Sequence, residues 1–400
     1  MGDLKNKVIL IGGNHHNGLG LARVFGVNGI KPYGVIVGED AEHGFVRKSK
    51  YWAKTWVIKS DDEIVEFLLS AFQDEKEKPV VIPYSDGAAE EIDLNLDRLK
   101  KYFLLPSIGG QQGKIAELMD KQKQVEFAQT YGIPMAKSCV VDLSDIRLPE
   151  DMIYPCIVKP VVSAEGEKSD IRKCDTETQT VAYLQELRGK GYHRFLVQEY
   201  LNYDTEYLMV GSISGQNQCW VNSKKIRVWP VVGGSSSCLQ VTSENNVQDF
   251  FDEVRNAFGR VGYDGTFDVE ALRVGEKIYL NEINWRNSGT IYSVFGSKVY
   301  YPVNWYYWKT ENQSPENFIR TCLDDTVYTM DESLDLRHVA CGNITLRQWL
   351  NDKKKARAFA IWDATDLKPT MIQYFHLLKE LIKRHGVKNG QQQKNSSSNR

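Results

Sequence analysis

Short apolar runs alternate with amphipathic segments over the first part of the chain. The apolar runs occupy residues 7–11, 33–37, 56–58 and 79–83, and they are followed by turn residues such as Gly-Gly or Ser-Asp-Gly. Short apolar runs that stop at turn residues indicate buried strands, and the stretches between them have the period of helices. Strands that alternate with helices predict a parallel α/β sheet, which we expect to occupy residues 1–112.

The pattern changes after residue 112. A polar helix over residues 114–131 ends at Gly132-Ile133-Pro134, a combination that stops a helix and begins a new segment. The strands predicted beyond it cover residues 155–160, 195–201, 206–212, 224–234, 265–272 and 277–284. We therefore expect a second, strand-rich domain over residues 113–310.

The C-terminal part has weaker signals. Residues 311–385 predict an α+β extension, in which the clearest element is an amphipathic helix over residues 371–384. Residues 386–400 carry almost no apolar side chain, which predicts a disordered tail. The aromatic cluster at residues 305–308 lacks the basic surroundings of a base-stacking site, so it predicts a packed interdomain core.

The composition excludes several classes of function. The 400 residues carry a formal net charge of -2, which offers no basic field to nucleic acid. No apolar run reaches the roughly 18 residues of a membrane span, and the polar N-terminus lacks the apolar core of a secretory signal. The seven cysteines show no CxxC spacing, which favours free thiols. We expect a cytoplasmic protein with neither nucleic-acid nor membrane partners.

The first glycine loop does not match a nucleotide-binding motif. Gly13 and Gly18 have P-loop spacing, but Leu19 stands where the phosphate-binding lysine is needed. Gly18-x-Gly20 resembles the start of a dinucleotide fingerprint, yet the third glycine position holds Arg23. A structural tight turn is therefore favoured, and an NAD site is the alternative.

Two neighbouring segments place acidic residues on alternate positions. In Thr266-Phe267-Asp268-Val269-Glu270 the two acids share one face of a strand, and Glu282, Asn284 and Arg286 share a face of the next strand. If the strands pair, Glu270, Glu282 and Asn284 converge as oxygen ligands of the kind that Mg2+ prefers. The alternative is a solvated sheet face.

Lysines and acids near the ends of other predicted strands suit a nucleotide. Lys159 ends an apolar strand and precedes a loop of small residues over 161–170, so it can reach a phosphate. Lys121 lies on the helix before Gly132-Ile133-Pro134. Glu199 and its neighbouring backbone suit adenine, and Glu206 suits ribose hydroxyls. A lysine at a strand end is also common as a solvated cap.

The order of these segments resembles the ATP-grasp superfamily, in its carbamoyl-phosphate-synthase-like and carboxylate–amine-ligase branch. The resemblance covers about residues 114–300 and rests on Asp120-Lys121, Gly132-Ile133-Pro134, Tyr154-Pro155-Cys156-Ile157-Val158-Lys159-Pro160, Gln198-Glu199-Tyr200-Leu201, Glu206, Gly265-Thr266-Phe267-Asp268-Val269-Glu270 and Asn281-Glu282-Ile283-Asn284-Trp285-Arg286. It implies a parallel α/β pre-ATP-grasp domain followed by a two-lobed ATP-grasp module.

The resemblance also implies a role for each matching residue. Lys121 and Lys159 would contact ATP phosphates, whereas Glu199, the backbone of Leu201, and Glu206 would hold adenine and ribose. The metal, Mg2+ or Mn2+, would be bound by Glu270, Glu282 and Asn284. Arg286 would stabilise the transferring phosphate, and Arg227, on a basic strand at residues 224–227, is a second catalytic candidate.

The implied activity is ATP-dependent ligation of a carboxylate to an amine through an acyl phosphate. Alternatives are a carbamoyl-phosphate-type or phosphotransferase activity, or a nucleotide-binding module without catalysis. Trp285 replaces the proline that this family usually has between the metal-binding asparagine and the arginine, and only one grasp module is present.

The expected substrates are small carboxylates and amines, with amino acids favoured and a homodimer left open. We expect them between the first domain and the grasp, where His15, His16 and Asp86 follow predicted strands. An ordinary exposed loop is the alternative for the histidine pair.

Overall fold

The computed structural model describes residues 5–161, 170–231, 233–311, 319–376 and 379. Expectations that fall outside these residues, in whole or in part, concern the loop at 161–170, the second half of the helix at 371–384 and the tail at 386–400. Residues 367–376 are helical, so the predicted C-terminal helix begins four residues earlier than expected. Within the described part of the chain, no helix combines the length and apolar character needed to cross a membrane.

Four parallel strands form the first sheet, in the order β3-β2-β1-β4. These strands are β1 (Val8–Gly13), β2 (Tyr33–Val37), β3 (Lys54–Ile58) and β4 (Val80–Pro83). The helices of this part are α1 (His16–Val27), α2 (Ile64–Phe72), α3 (Asp86–Leu94) and α4 (Leu96–Leu99). The central strands are buried on both faces, as parallel strands covered by helices must be. The predicted parallel α/β sheet is confirmed.

Helix α1 packs unusually closely on its surroundings. A Cβ atom at Gly18 would lie 2.7 Å from the ring of Tyr84, and one at Gly20 would lie 2.2 Å from Ile291. Only glycine allows this approach, because such separations are far shorter than any van der Waals contact. The pattern of residues 18–25 predicts the start of a helix, and this is confirmed: Gly18 and Gly20 lie inside α1 and serve its packing, so the tight turn expected for the glycine loop does not include them.

A small antiparallel sheet follows, in the order β6-β9-β7-β8. Its strands are β6 (Ser138–Asp142), β7 (Cys156–Pro160), β8 (Arg172–Cys174) and β9 (Arg194–Glu199). The helices before and within it are α5 (Lys114–Met119), α6 (Lys121–Tyr131) and α7 (Glu177–Gly189). Helix α6 begins where Asp120 accepts a hydrogen bond from the backbone of Gln122, and it ends at Gly132 in the left-handed conformation, as the sequence predicted.

The large sheet has the order β14-β13-β10-β11-β12-β15-β16, and β5 pairs beside β13. Its strands are β5 (Ser107–Ile108), β10 (Thr205–Ser214), β11 (Asn217–Trp229), β12 (Ser235–Val241), β13 (Tyr263–Val274), β14 (Lys277–Asn284), β15 (Tyr328–Met330) and β16 (Ala356–Phe359). Around it lie α8 (Asn245–Val261), α9 (Ser293–Ser297), α10 (Tyr301–Lys309), α11 (Glu332–Ala340) and α12 (Leu346–Lys355). The C-terminal strands thus extend the same sheet as the central part of the chain.

The C-terminal part also contacts the first domain through a buried arginine. Arg23 on α1 donates from Nε to Asp366 Oδ2 at 3.1 Å and from Nη1 to the carbonyl of Ile361 at 3.0 Å. The aromatic residues of α10 belong to the same core, since Trp305 and Tyr306 are fully buried and Tyr306 meets Phe25 edge-on. The predicted interdomain packing of this aromatic cluster is confirmed.

Replacing Arg23 with alanine should lower the free energy of unfolding by about 3–5 kcal/mol, because it leaves the buried Asp366 carboxylate without its cation. Urea denaturation measures this change. Arg98→Ala is the matched control, since Arg98 pairs with Glu66 at the exposed surface and its loss should leave the unfolding midpoint close to the wild-type value. Equal midpoints for wild type and Arg23→Ala would contradict the described docking of the C-terminal part on α1.

Candidate functional site

A cavity of about 310 Å³ lies between the small sheet and the large sheet. Both sheets contribute to its lining, and so does the segment that follows β9. The residues predicted from the sequence that line it are Lys121, Lys159, Glu199, Leu201, Glu206, Glu270 and Glu282. The cleft therefore gathers side chains that lie up to 161 residues apart in the chain.

The β13–β14 hairpin forms one wall of the cavity. Glu270 pairs directly with Glu282 across the two antiparallel strands, and Asp268 pairs with Asn284 two residues further along. The strands are neighbours, as the alternating acids predicted, and the glutamate side chains are 28% and 25% exposed. Like charges placed directly opposite each other repel, so this pair requires compensating cations.

Lys121 supplies one of these cations. Its Nζ lies 3.3 Å from Glu282 Oε1, at the start of α6. Two hydrogen bonds hold α6 against β14, because the side chain of Gln124 donates to the carbonyl of Ile283 and accepts from its N–H. Burial alone would raise the pKa of Glu282, but Lys121 and Lys159 outweigh burial and the pKa is lowered.

Lys159, at the end of β7, also faces the cavity. Burial lowers its pKa to about 8, against the opposing attraction of Glu282 and Glu270 and with added repulsion from Lys121. A negatively charged ligand would stabilise the ammonium form of Lys159, so this environment favours binding of an anion. Its place beside Lys121 makes this end of the cavity the natural position for phosphate oxygens.

Lys225 is a functional candidate that the sequence argument missed. Its side chain is only 2% exposed, and its Nζ lies 2.9 Å from Glu270 Oε1 and 3.1 Å from Glu206 Oε2. Burial would lower the pKa of Lys225, yet the two carboxylates overcome burial and raise it. The basic run at residues 224–227 marks this strand in the sequence, but it does not show which of its cations, Lys225 or Arg227, points to the carboxylates.

Arg227, the second catalytic candidate from the sequence, does not line the cavity. The ladder between β11 and β12 shifts register between Lys225 and Arg227, so the two side chains diverge. The guanidinium of Arg227 makes a bidentate pair with Asp335 at 2.8 Å for each bond, and a third bond of 2.8 Å with Asp352. Arg227 thus fixes α11 and α12 to the large sheet.

Glu199 and Leu201 bring polar groups to the cavity lining. Glu199 ends β9, and one of its carboxylate oxygens accepts a hydrogen bond of 3.4 Å from the N–H of Lys137. Among the described residues, no group accepts a hydrogen bond from the N–H of Leu201. A free backbone donor beside an acidic side chain matches the acceptor and donor edge of a purine.

Asn284 and Arg286 lie beyond the cavity lining, further along the strand direction of β14. Arg286 donates from Nη2 to Asn284 Oδ1 at 3.3 Å and from Nε to Asp86 Oδ1 at 2.7 Å. Burial would lower the pKa of Arg286, but Asp86 and Asp268 raise it. Trp285, which stands where the resembled family has proline, is buried and donates to the carbonyl of Leu118.

The first sheet holds the segment that follows β14. Asn17 donates to the carbonyl of Asn287 and accepts from its side chain at 2.6 Å. His16 Nε2 lies 2.9 Å from the carbonyl of Gly289, and Asp86 binds Arg286. The side chains after β1 and β4 therefore meet the hairpin segment, which brings the first domain to the edge of the site.

The donor set fits a hard divalent cation that is completed by a ligand. Glu270, Glu282 and Asn284 offer carboxylate and amide oxygens, which suit Mg2+. Within the described residues, no three His, Cys, Asp or Glu side chains converge to form a metal site on their own. A cation bound here would thus need further oxygens from a bound phosphate.

No protein-family model matches the chain. The chain is 29% identical over 174 residues to the formate-dependent phosphoribosylglycinamide formyltransferase of Shewanella frigidimarina, and the match covers 41% of this chain and 42% of that protein. The chain therefore spans less than half the length of this curated relative.

Solved structures resemble the chain over a larger part. The carboxyaminoimidazole ribonucleotide synthase of Aspergillus clavatus, complexed with ATP, has a TM-score of 0.60 at 13% identity and covers 80% of each chain. The L-amino acid ligase of Bacillus licheniformis has a TM-score of 0.59 at 12% identity, over 78% of this chain and 76% of that one. These neighbours share the fold of the chain, so the ATP-grasp fold expected from the sequence is confirmed.

His16 should make the stability of the protein depend on pH. Burial lowers its pKa from 6.5 to about 4, although the carbonyl of Gly289 opposes this shift. Between these values the unfolded chain binds the proton more readily, so the stability linked to His16 is complete above pH 6.5 and is lost as the pH falls toward about 4.

Urea unfolding between these pH values should therefore show a slope of up to about 1.4 kcal/mol per pH unit that His16→Gln lacks. His43→Gln is the control, because His43 is exposed and its replacement should keep the wild-type slope. Identical slopes in wild type and His16→Gln would show that folding does not lower the pKa of His16.

Proposed function

We propose that this protein is an ATP-dependent carboxylate–amine ligase, which forms an amide or peptide bond through an acyl phosphate and releases ADP and phosphate. The observation that carries the proposal is the pair of facing carboxylates, Glu270 and Glu282, set among lysines at a cavity between two sheets. A carboxylate is a poor acyl donor, and phosphorylation turns it into a good one that an amine can attack. Positioning and neutralisation of charge supply most of the catalysis in such a transfer.

ATP occupies the cavity in this proposal. Glu199 and the backbone of Leu201 bind the adenine edge, and Glu206 binds the ribose hydroxyls. Lys121 and Lys159 bind the phosphates, where their ammonium groups act as point charges in a partly desolvated site. The support for this assignment is that all five residues line one cavity.

The metal in this proposal is Mg2+, and Mn2+ has the same preference for oxygen ligands. Glu270, Glu282 and Asn284 would hold it together with phosphate oxygens. The cation would neutralise the charge that develops as the phosphoryl group moves. Lys225 pairs with Glu270, and we therefore propose it as a further residue of the site.

Arg286 is proposed to stabilise the transferring phosphoryl group and the acyl phosphate. Its guanidinium links β14 to Asp86 of the first domain, so the carboxylate substrate is expected between these two parts. The named relatives act on formate or L-amino acids, and we favour amino acids as substrates here. The cytoplasmic location and the homodimer stay predictions.

Hydroxylamine trapping tests the proposed reaction. The purified protein is incubated with MgATP, hydroxylamine and each of the common amino acids or formate, and ADP and hydroxamate are measured together. A ligase that forms an acyl phosphate should yield hydroxamate in proportion to ADP, because hydroxylamine replaces the amine. ADP release without hydroxamate, dependent on a hydroxyl or amino acceptor, would instead indicate a phosphotransferase.

Glu282→Gln provides the matched variant for this assay. It removes one charge and one metal ligand at nearly constant volume, so ADP release should fall by about 100-fold or more while the fold persists. Glu276→Gln lies at the exposed turn of the same hairpin and should keep wild-type activity. Full activity in Glu282→Gln would remove the hairpin from the active site.

ADP affinity should fall as the pH rises through about 8, since Lys159 loses its ammonium form near that pH. Isothermal titration calorimetry between about pH 7 and 9 measures this dependence. Lys159→Met should bind ADP weakly and with no such dependence. Lys277→Met, at the exposed start of β14 and outside the cavity lining, should behave like the wild type. An unchanged affinity in Lys159→Met would exclude Lys159 from the phosphate site.

A further inference from the structure

A second groove, separate from the nucleotide cavity, opens between helix α8 and the turn that joins β10 to β11. Its volume is about 540 Å³, and the residues that line it are all different from those of the cavity between the two sheets. We call it the α8 groove. Polar side chains dominate its lining, namely Gln216, Gln218, Arg255, Asn256 and Arg260.

The surface of the α8 groove is cationic. Arg255 and Arg260 line it, and none of its described lining residues is acidic. Helix α8 also carries three carboxylates, Asp249, Asp252 and Glu253, and Asp252 pairs with Arg255. All three lie outside the lining, so a ligand in the groove would face two arginines and three amide side chains.

Arg255 has donor capacity left over for a ligand. Its side chain is only 7% exposed, and its guanidinium lies 3.4 Å from the ring centre of Trp220. Nε donates to Gln218 at 2.9 Å and Nη2 donates to Asp252, whereas the described partner of Nη1 is the sulfur of Met209 at 3.7 Å. A thioether is a weak acceptor for a group with five N–H donors. Burial lowers the pKa of Arg255 against the attraction of Asp252, so a further anion would stabilise the guanidinium.

Gly259 keeps the α8 groove open. It lies near the end of α8 and lines the groove, although glycine weakens a helix relative to alanine. A Cβ atom at this position would meet nothing within 4 Å, so close packing does not require glycine here. A larger side chain at residue 259 would instead take up space in the groove.

We propose that the α8 groove binds an organic anion, with a phosphate or carboxylate group on a polar body. Arg255 and Arg260 bind the charged group, because hydrogen bonds from guanidinium to such oxygens are strong. The amides of Gln216, Gln218 and Asn256 bind hydroxyl or carbonyl groups of the body. A water molecule takes up about 30 Å³ in the liquid, so the groove has room for a ligand larger than a bare ion.

Isothermal titration calorimetry with citrate and with glucose 6-phosphate, at constant ionic strength, tests this site. At least one probe should bind, and the one that binds more tightly identifies the charged group as carboxylate or phosphate. Gly259→Leu should weaken this binding by about tenfold or more, because leucine fills the groove without a clash in the fold. Gly189→Leu is the matched control, since Gly189 ends α7 and a Cβ there also meets nothing within 4 Å.

Arg255→Met tests the charge of the site, and it should also weaken binding by about tenfold or more. Its control is Arg188→Met, which removes an exposed arginine from the last turn of α7 and should bind like the wild type. Circular dichroism checks the fold of each variant. If Arg255→Met does not fold, Gly259→Leu decides the test by itself.

The results separate a built site from general attraction to a basic surface. Weaker binding in Gly259→Leu, with wild-type affinity in Gly189→Leu and Arg188→Met, would support the proposal. It would be overturned if neither probe bound, if Gly259→Leu bound like the wild type, or if the control variants lost as much affinity. None of these variants touches the lining of the nucleotide cavity, so the proposed ligase function stands or falls separately.

Discussion

Two carboxylates face each other across β13 and β14, and this like-charged pair is the constraint on which the site depends. Glu270 and Glu282 repel in a partly buried setting, so the fold must bring cations to them. Lys121 comes from helix α6 and pairs with Glu282, whereas Lys225 comes from β11 and pairs with Glu270. The side chain of Gln124 bonds to the backbone of β14 and so fixes the position of α6. This contact sets where Lys121 lies relative to Glu282.

The first domain depends on the same hairpin in a different way. Its described residues are absent from the cavity lining, yet it binds the segment that leaves β14 through Asp86, Asn17 and His16. Residues at the carboxyl ends of parallel strands commonly bind ligands. Here they bind a segment of the chain itself, so the position of Arg286 relative to the carboxylates is set by the first sheet.

The alternating acids on two strands were enough to predict that Glu270 and Glu282 share a face, because a strand has a fixed period of two. The sequence could not show that Lys225, rather than Arg227, reaches the carboxylates, because an irregularity in the β11–β12 ladder breaks that period and no local pattern marks it. The partners of Arg227 lie 108 and 125 residues further along the chain. The packing role of Gly20 could not be predicted for a similar reason, since the close approach of Ile291 is set by tertiary packing.

The C-terminal part of the chain anchors elements around the cavity and on the first domain. Arg227 ties β11 to α11 and α12, while Arg23 ties α1 to the segment around Asp366. Gly233, Gly234 and Ser235, at the β11–β12 connection, line the cavity. Arg227 therefore anchors the strand that leads into this part of the lining. The acidic and basic side chains of the cavity come from the central region of the chain, whereas the strand beside its lining is held by helices of the C-terminal part.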